Sequence, residues 1–209
     1  MRIAVISTKG GVGKTTCAMH LAQALSSLGT VEVFDMDPQG SATDWAYRAE
    51  DSGDPLDFRV NPSNTRELSH LERAQTADHL VIDTPPGLPD VILASARVAD
   101  AVIIPTEHSG LDMAQVWKLI EALPDVPFGV LISKSNPRTI SYRQAVAELQ
   151  SHDVPLFATD VRRSERVKES FARTVRSERL FGYDSVLDEL IRALGVRLRP
   201  ATRERKESR

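Results

Sequence analysis

The stretch STKGGVGKTT, Ser7 to Thr16, follows the apolar run Ile3, Ala4, Val5 and Ile6 and leads into a segment of helical periodicity. A strand, a glycine-rich turn and a helix in that order make a phosphate-binding loop, because the turn's backbone N–H groups and the helix N-terminus surround an oligophosphate. Gly13, Lys14 and Thr15 supply the second half of the pattern G-x-x-x-x-G-K-[ST] in register. Lys14 is expected to reach the β- and γ-phosphates, and Thr15 to offer its hydroxyl to Mg²⁺. Gly10 and Gly11 lack the Cβ atoms that would block close approach by phosphates. With Val12 and Thr16 they complete the expected nucleotide cradle. Two residues depart from the pattern: Thr8 stands where its first glycine belongs, and a second lysine, Lys9, follows.

Outward from this loop, short β-rich runs alternate with helical segments. Strands are expected at Arg2–Ser7, Val31–Asp35, His79–Asp83, Ala101–Pro105 and Pro127–Ile132, with weaker candidates at Asp57–Val60 and Pro155–Ala158. Helices are expected at Lys14–Leu28, Ala42–Glu50, Thr65–Gln75, Asp90–Val98, Leu111–Ala122 and Ile140–Ser151. Strands separated by helices imply crossover connections, hence an α/β doubly wound fold with a mainly parallel sheet covered on both faces. Beyond residue 160, Val167, Phe171 and Val175 recur at helical spacing, and a last amphipathic helix near Ser185–Leu194 ends at Gly195. One domain over residues 1–199 and a basic, disordered tail over 200–209 are the expected organisation.

Two acidic stretches fall where a phosphate site needs carboxylates. VEVFDMDPQG ends a strand with Asp35 and Asp37, which alternation puts on the same side of the chain. HLVIDTPPG is an apolar strand closed by Asp83, the form of a Walker B segment, in which a carboxylate stands near Mg²⁺ directly or through water.

The run K-G-G-x-G-K-T-T resembles the deviant Walker A box of the ParA/MinD family of ATPases, and the order of phosphate loop, DxDPQ and IDTPP is similar to that family nearly throughout the chain. The resemblance implies an ATP-hydrolysing protein in which Lys9 is the signature lysine, crossing a homodimer interface to the partner's nucleotide. A triphosphate buried between two proteins needs more cations than Lys14 and one Mg²⁺ provide. It further implies that Asp37 activates the attacking water, Asp35 lies near the metal, and Thr84–Gly87 forms a second switch. By position Ser133, Lys134, Arg162 and Arg163 are candidates for the base side of the nucleotide.

Bulk properties narrow the job. The net charge of -3 divides unevenly: Val161 to Arg209 holds 14 Lys+Arg against 8 Asp+Glu, so the remainder is acidic. Arg162, Arg163, Arg166, Lys168, Arg173 and Arg176 cluster with only Glu165 and Glu169 among them. Such a cluster suits nonspecific DNA, which is held by phosphate neutralisation. The single cysteine, Cys17, excludes a cluster-bridged redox dimer, which needs two cysteine ligands from each subunit. No apolar run approaches the roughly 18 residues of a membrane span. Acids at Asp184, Asp188 and Glu189 argue against a membrane-lying C-terminal helix, so its apolar stripe is expected on the core.

The expected reading is therefore a DNA-partition ATPase without stable membrane association, cytoplasmic and nucleoid-bound with ATP, released when a centromere-binding, ParB-like adaptor stimulates hydrolysis. The alternative is a MinD-like membrane positioner. The early phosphate loop leaves no room for an N-terminal helix-turn-helix domain, as in small plasmid-type ParA proteins.

Overall fold

The computed structural model describes residues 1–70, 77–176, 180–196 and 198. Six strands, β1 (Arg2–Val5), β2 (Val31–Asp35), β3 (Arg59–Pro62), β4 (His79–Asp83), β5 (Ala101–Thr106) and β6 (Phe128–Ile132), form one sheet in the order β3-β2-β4-β1-β5-β6. Every pairing is parallel. Because side chains alternate across a strand, Ile3, Val5, Val33, Val81 and Ile103 enter the core on one face. Ala4, Ile6, Leu80, Ile82, Val102 and Ile104 enter the core on the other. Burying each such Ile or Leu contributes roughly 1.5–3 kcal/mol.

The first face is covered by α1 (Lys14–Ser26), α2 (Ser41–Asp51) and α8 (Tyr183–Leu194). The second is covered by α4 (Pro89–Val98), α5 (Gly110–Ala122) and α6 (Ile140–Ser151). Two short helices, α3 (Thr65–Leu68) and α7 (Glu165–Glu169), complete the described elements. In α8, Val186, Leu187 and Leu190 are buried in the same core as α1, and Gly195 closes the helix in a left-handed conformation with φ 65°. The apolar stripe is thus on the core, as expected.

Several boundaries differ from the sequence reading. The ladder of β1 ends at Val5, not Ser7, because the chain turns into the glycine loop. The edge strand β3 begins at Arg59 and runs to Pro62, two residues beyond the expected Asp57–Val60. Pro155–Ala158 makes one bridge, Val130 to Leu156, and stops. The Ala158 and Thr159 N–H groups instead donate to the Glu189 carboxylate at 2.7 and 3.0 Å, so no ladder continues. The helix expected from Thr65 ends at Leu68, and part of its expected span, residues 71–76, lies outside the described residues. The tail from 199 onward lies outside them as well.

The largest departure concerns Val167, Phe171 and Val175. Helix α7 ends at Glu169, and Ala172 takes a positive φ of 63°, so these three never share a helical stripe. Tertiary bonds hold the segment in its irregular path. The Trp45 Nε1–H donates to the Arg173 carbonyl at 2.8 Å, and the Thr174 hydroxyl donates to the carbonyls of Asp54 and Pro55. Val175 is buried, while Phe171 remains 43% exposed against the edge of Trp45.

Candidate nucleotide site

Strand β1 sits centrally, and the chain winds away from it in both directions, so the C-terminal strand ends open a crevice at the switch of winding. Register decides what meets there. Val5 pairs with Asp83, and Asp35 also pairs with Asp83. Asp35 and Asp83 therefore stand side by side immediately next to the loop that leaves β1.

Gly13, with φ 93°, is the N-cap of α1 and gives it no side-chain hydrogen bond. A side chain would be strained at that φ, and the first amides of a 13-residue helix are left for an anion. The Lys14 ammonium folds back over its own loop, donating to the Lys9 carbonyl at 3.0 Å. Burial pulls the Lys14 pKa down, and the nearby Asp83 and Asp37 oppose that pull.

Asp83 is wholly buried, and neither oxygen has a hydrogen-bond partner of normal geometry. Burial pushes its pKa up to about 7; Asp35 and Asp37 add to the rise, while the Thr15 side chain and Lys14 oppose it. A buried carboxylate with unsatisfied oxygens beside a loop hydroxyl fits magnesium, which takes one or two protein oxygens and fills its shell with water and phosphate. Among the described residues no group of three or more His, Cys, Asp or Glu forms a closed metal cage, so a metal held here would need a nucleotide to complete its shell.

The two aspartates of DxDPQ divide their work differently from the alternation argument. Asp35 is anchored: its carboxylate accepts from the Thr43 N–H and hydroxyl at 2.8 and 2.7 Å and from the Asp37 N–H at 3.2 Å. It ties the strand end to the first turns of α2. Asp37 lies past the end of β2 in a turn, where its carboxylate accepts from the Gln39 N–H at 2.9 Å. Strand alternation therefore does not extend to Asp37.

Lys9 takes another direction from Lys14. Its ammonium pairs with the Asp112 carboxylate of α5, which raises the Lys9 pKa, and its side chain is 38% exposed. Asp112 is itself buried, and it closes a capping box with Ser109 at the start of α5. The preceding loop residue, Thr8, donates to the Gln115 side chain at 3.2 Å. Its departure from glycine thus gives a second tie to α5. Asp112 is a site residue that the sequence reading misses, although S-x-x-D at 109–112 is a legible capping signature.

The far wall is built by the end of β6. The Ser133 hydroxyl is buried and donates to the Val12 carbonyl at 2.7 Å, so it braces the loop. Lys134, at a positive φ of 48°, holds the Gly11 carbonyl and pairs with Glu107 at 2.9 Å. Arg162 bridges to Ser135, and the Arg163 N–H donates to the Ser135 carbonyl at 3.3 Å. Both exposed arginines thus stand beside the loop-bracing segment. Of the other basic residues, Lys168 pairs with Glu165 at 2.8 Å and Arg176 with Asp54 at 3.4 Å. The first two arginines of the basic segment therefore lie against Ser135, while Arg173 is held by Trp45 of α2 and Arg176 by Asp54 beyond its end.

Sheet, loop and carboxylate together define a P-loop protein of the nucleoside-triphosphate-binding class. Residues 3–176 match the CobQ/CobB/MinD/ParA nucleotide binding domain, and the chain belongs to that family. It is 36% identical over 166 residues to the maintenance of carboxysome distribution protein A of Gloeobacter kilaueensis, covering 77% of this chain and 76% of that protein. It is 31% identical over 215 residues to the chromosome-partitioning ATPase Soj of Thermus thermophilus, covering 83% and 86%. Among solved structures, the fold resembles a putative plasmid partition protein of Borrelia burgdorferi bound to AMPPNP, with TM-score 0.78, 20% identity and coverage of 92% and 98%.

Proposed function

We propose that the chain is an ATP-hydrolysing, homodimeric positioning switch of the partition type, which holds nonspecific DNA while ATP is bound. The observation that carries this reading is the opposite orientation of the two loop lysines. Lys14 closes on its own loop, whereas Lys9 leaves it for Asp112 on α5. A lysine that does not serve its own phosphate cradle is free to serve another's once the pair with Asp112 is exchanged for phosphate. Exposed Leu88, Leu111 and Ile140 stand at the starts of α4, α5 and α6, an apolar rim that a second copy would cover.

In this mechanism the amides at Gly13 and the Lys14 ammonium hold the phosphates, and the partner's Lys9 adds the second cation. Thr15 and Asp83 would hold magnesium, which when bound would offset phosphate charge, and Asp35 is anchored next to Asp83. Asp37 orients the attacking water and accepts its proton. Hydrolysis removes the shared γ-phosphate, and the dimer separates.

Arg162, Arg163, Arg166, Lys168, Arg173 and Arg176 are all exposed and supply the DNA-facing charge. Two such surfaces in one dimer would add their contacts on a single duplex. The names of the relatives, carboxysome distribution and chromosome partitioning, both describe the placing of a large cargo. A ParB-like adaptor fits the same scheme as the stimulus for hydrolysis. The membrane alternative is disfavoured, because the stripe of α8 is buried in the core and no described helix is long and apolar enough to cross a membrane.

Sedimentation of the protein with ADP, then ATP, with and without nonspecific duplex tests the reading. A dimer that requires ATP and carries DNA supports it; a monomer under all conditions overturns it.

A further inference from the structure

Lys134, two residues past the end of β6, holds a backbone conformation that lysine avoids, with φ 48°. Its half-open ion pair with Glu107, at 2.9 Å, stabilises less than such strain destabilises, so the conformation calls for another cause. The second bond of the same ammonium supplies one. It donates to the Gly11 carbonyl, 123 residues earlier in the chain.

Ser133 makes the same kind of bond one peptide further along the loop. Its buried hydroxyl donates to the Val12 carbonyl at 2.7 Å, in preference to the Thr106 carbonyl at 3.1 Å. Its own N–H is fixed on the Thr106 carbonyl at 2.8 Å, so its position is set by the end of the β5–β6 ladder. Two adjacent residues thus hold two successive carbonyls of the phosphate loop. In a planar trans peptide the C=O and the N–H point to opposite sides. The Val12 carbonyl faces the β6 wall, so the Gly13 N–H faces away from that wall. Gly13 is partly exposed, and its N–H donates to no backbone carbonyl. A loop carbonyl turned the other way would set an oxygen against phosphate oxygens and withdraw an amide from them.

We propose that Lys134 and Ser133 are positioning residues of the phosphate loop: they hold its carbonyls against the β6 wall and so keep its amide edge, Gly13 foremost, toward the phosphates, while Glu107 fixes the Lys134 ammonium. This rests on the reading of the loop as a nucleotide site. It puts both residues in the service of the phosphates, through the backbone, and not of the base.

Calorimetric titration of the full chain with inorganic tripolyphosphate and with ADP, each with Mg²⁺, tests the assignment, because tripolyphosphate carries phosphates and no base. Lys134→Gly relieves the strained φ and deletes the ammonium. It should bind both ligands about tenfold more weakly than the wild type, with an unchanged midpoint of urea unfolding. Ser133→Ala should weaken both by several-fold, and Lys134→Arg, which keeps the charge, should recover most of the loss. Loss of ADP affinity with tripolyphosphate affinity intact would put Lys134 on the base and overturn the proposal. Wild-type affinity for both ligands in Lys134→Gly and Ser133→Ala, or a parallel loss that tracks a lowered urea midpoint, overturns it equally. A wild-type chain that binds neither ligand would overturn the nucleotide reading itself, and the proposal with it.

Discussion

At the C-terminal edge of the sheet, the principal phosphate-side groups grow from a strand end, a neighbouring turn or the first turn of a helix. Asp83 closes β4 and Lys14 opens α1. Between Val161 and Arg176 the basic side chains grow from a five-residue helix and irregular chain held down by Trp45, Asp54 and Pro55. The first region is buried and preorganised by the sheet; the second is exposed and held by a few tertiary bonds. Removing a group from the first should therefore abolish a step outright. Removing one from the second should weaken a sum of similar contacts.

The sharpest attempt to break this contrast is Lys14→Ala. It deletes a buried cation that folds over the glycine loop with Asp83 and Asp37 in its surroundings. Nucleotide affinity, read with a fluorescent ATP analogue, should fall about 100-fold or more. Lys9→Ala on the same loop should leave that affinity within a few-fold and remove the ATP-dependent dimer seen by light scattering. If Lys9→Ala instead weakens binding by the monomer as much as Lys14→Ala does, the lysines share one role, and the opposed orientations mean nothing.

The same contrast explains what was legible in the sequence. Glycines, Lys14 and Asp83 announce themselves because a phosphate cradle needs backbone amides, a positive φ and a strand-end carboxylate in fixed order, and all are local. The parallel sheet with helical crossovers is legible too, but its order is not, because nothing local says that β4 inserts between β2 and β1. Asp112 meets Lys9 across 103 residues, a partnership no spacing rule reveals. The helix expected through Val167, Phe171 and Val175 fails because tertiary bonds from α2 and from Asp54 and Pro55 beyond it outweigh a weak local periodicity, as helical propensity is only a slight preference. Strand alternation cannot place Asp37, because β2 ends two residues before it.

His20 probes how the second region is held, since it packs against Trp45 and Phe181 beside that segment. Its pKa is about 4 in the fold, below the 6.5 of an exposed histidine. The unfolded chain therefore gains a proton first as pH falls, and stability is lost between about 6.5 and 4, while it is intact above that window. The loss approaches about 3 kcal/mol. Urea unfolding against pH should show it in the wild type and not in His20→Asn, which removes the titrating ring. Parallel curves for the two proteins would mean that this face does not enclose the ring in solution.

The basic segment should respond in graded steps. Each single alanine at Arg162, Arg163, Arg166 or Arg173 should weaken DNA binding in the ATP state by several-fold and reduce the salt slope by about 1 for each phosphate no longer neutralised. ATP affinity should not change with Arg166→Ala or Arg173→Ala. One substitution that eliminates DNA binding altogether would show a single built contact where the structure suggests a distributed one.

The smallest expected effect lies where the two lysines part. Asp112→Asn keeps an oxygen to accept from Ser109 at the helix cap but removes the charge that holds Lys9 within its own subunit. A half-exposed ion pair is worth at most about 1 kcal/mol. Freeing Lys9 should therefore lower the protein concentration needed for ATP-dependent dimerisation by up to roughly fivefold per lysine, and nucleotide affinity of the monomer should not move. Weaker dimerisation in Asp112→Asn would assign Asp112 the opposite role, that of a guide presenting Lys9 to the partner. The sign of this small change thus separates a lysine held in reserve from one already aimed.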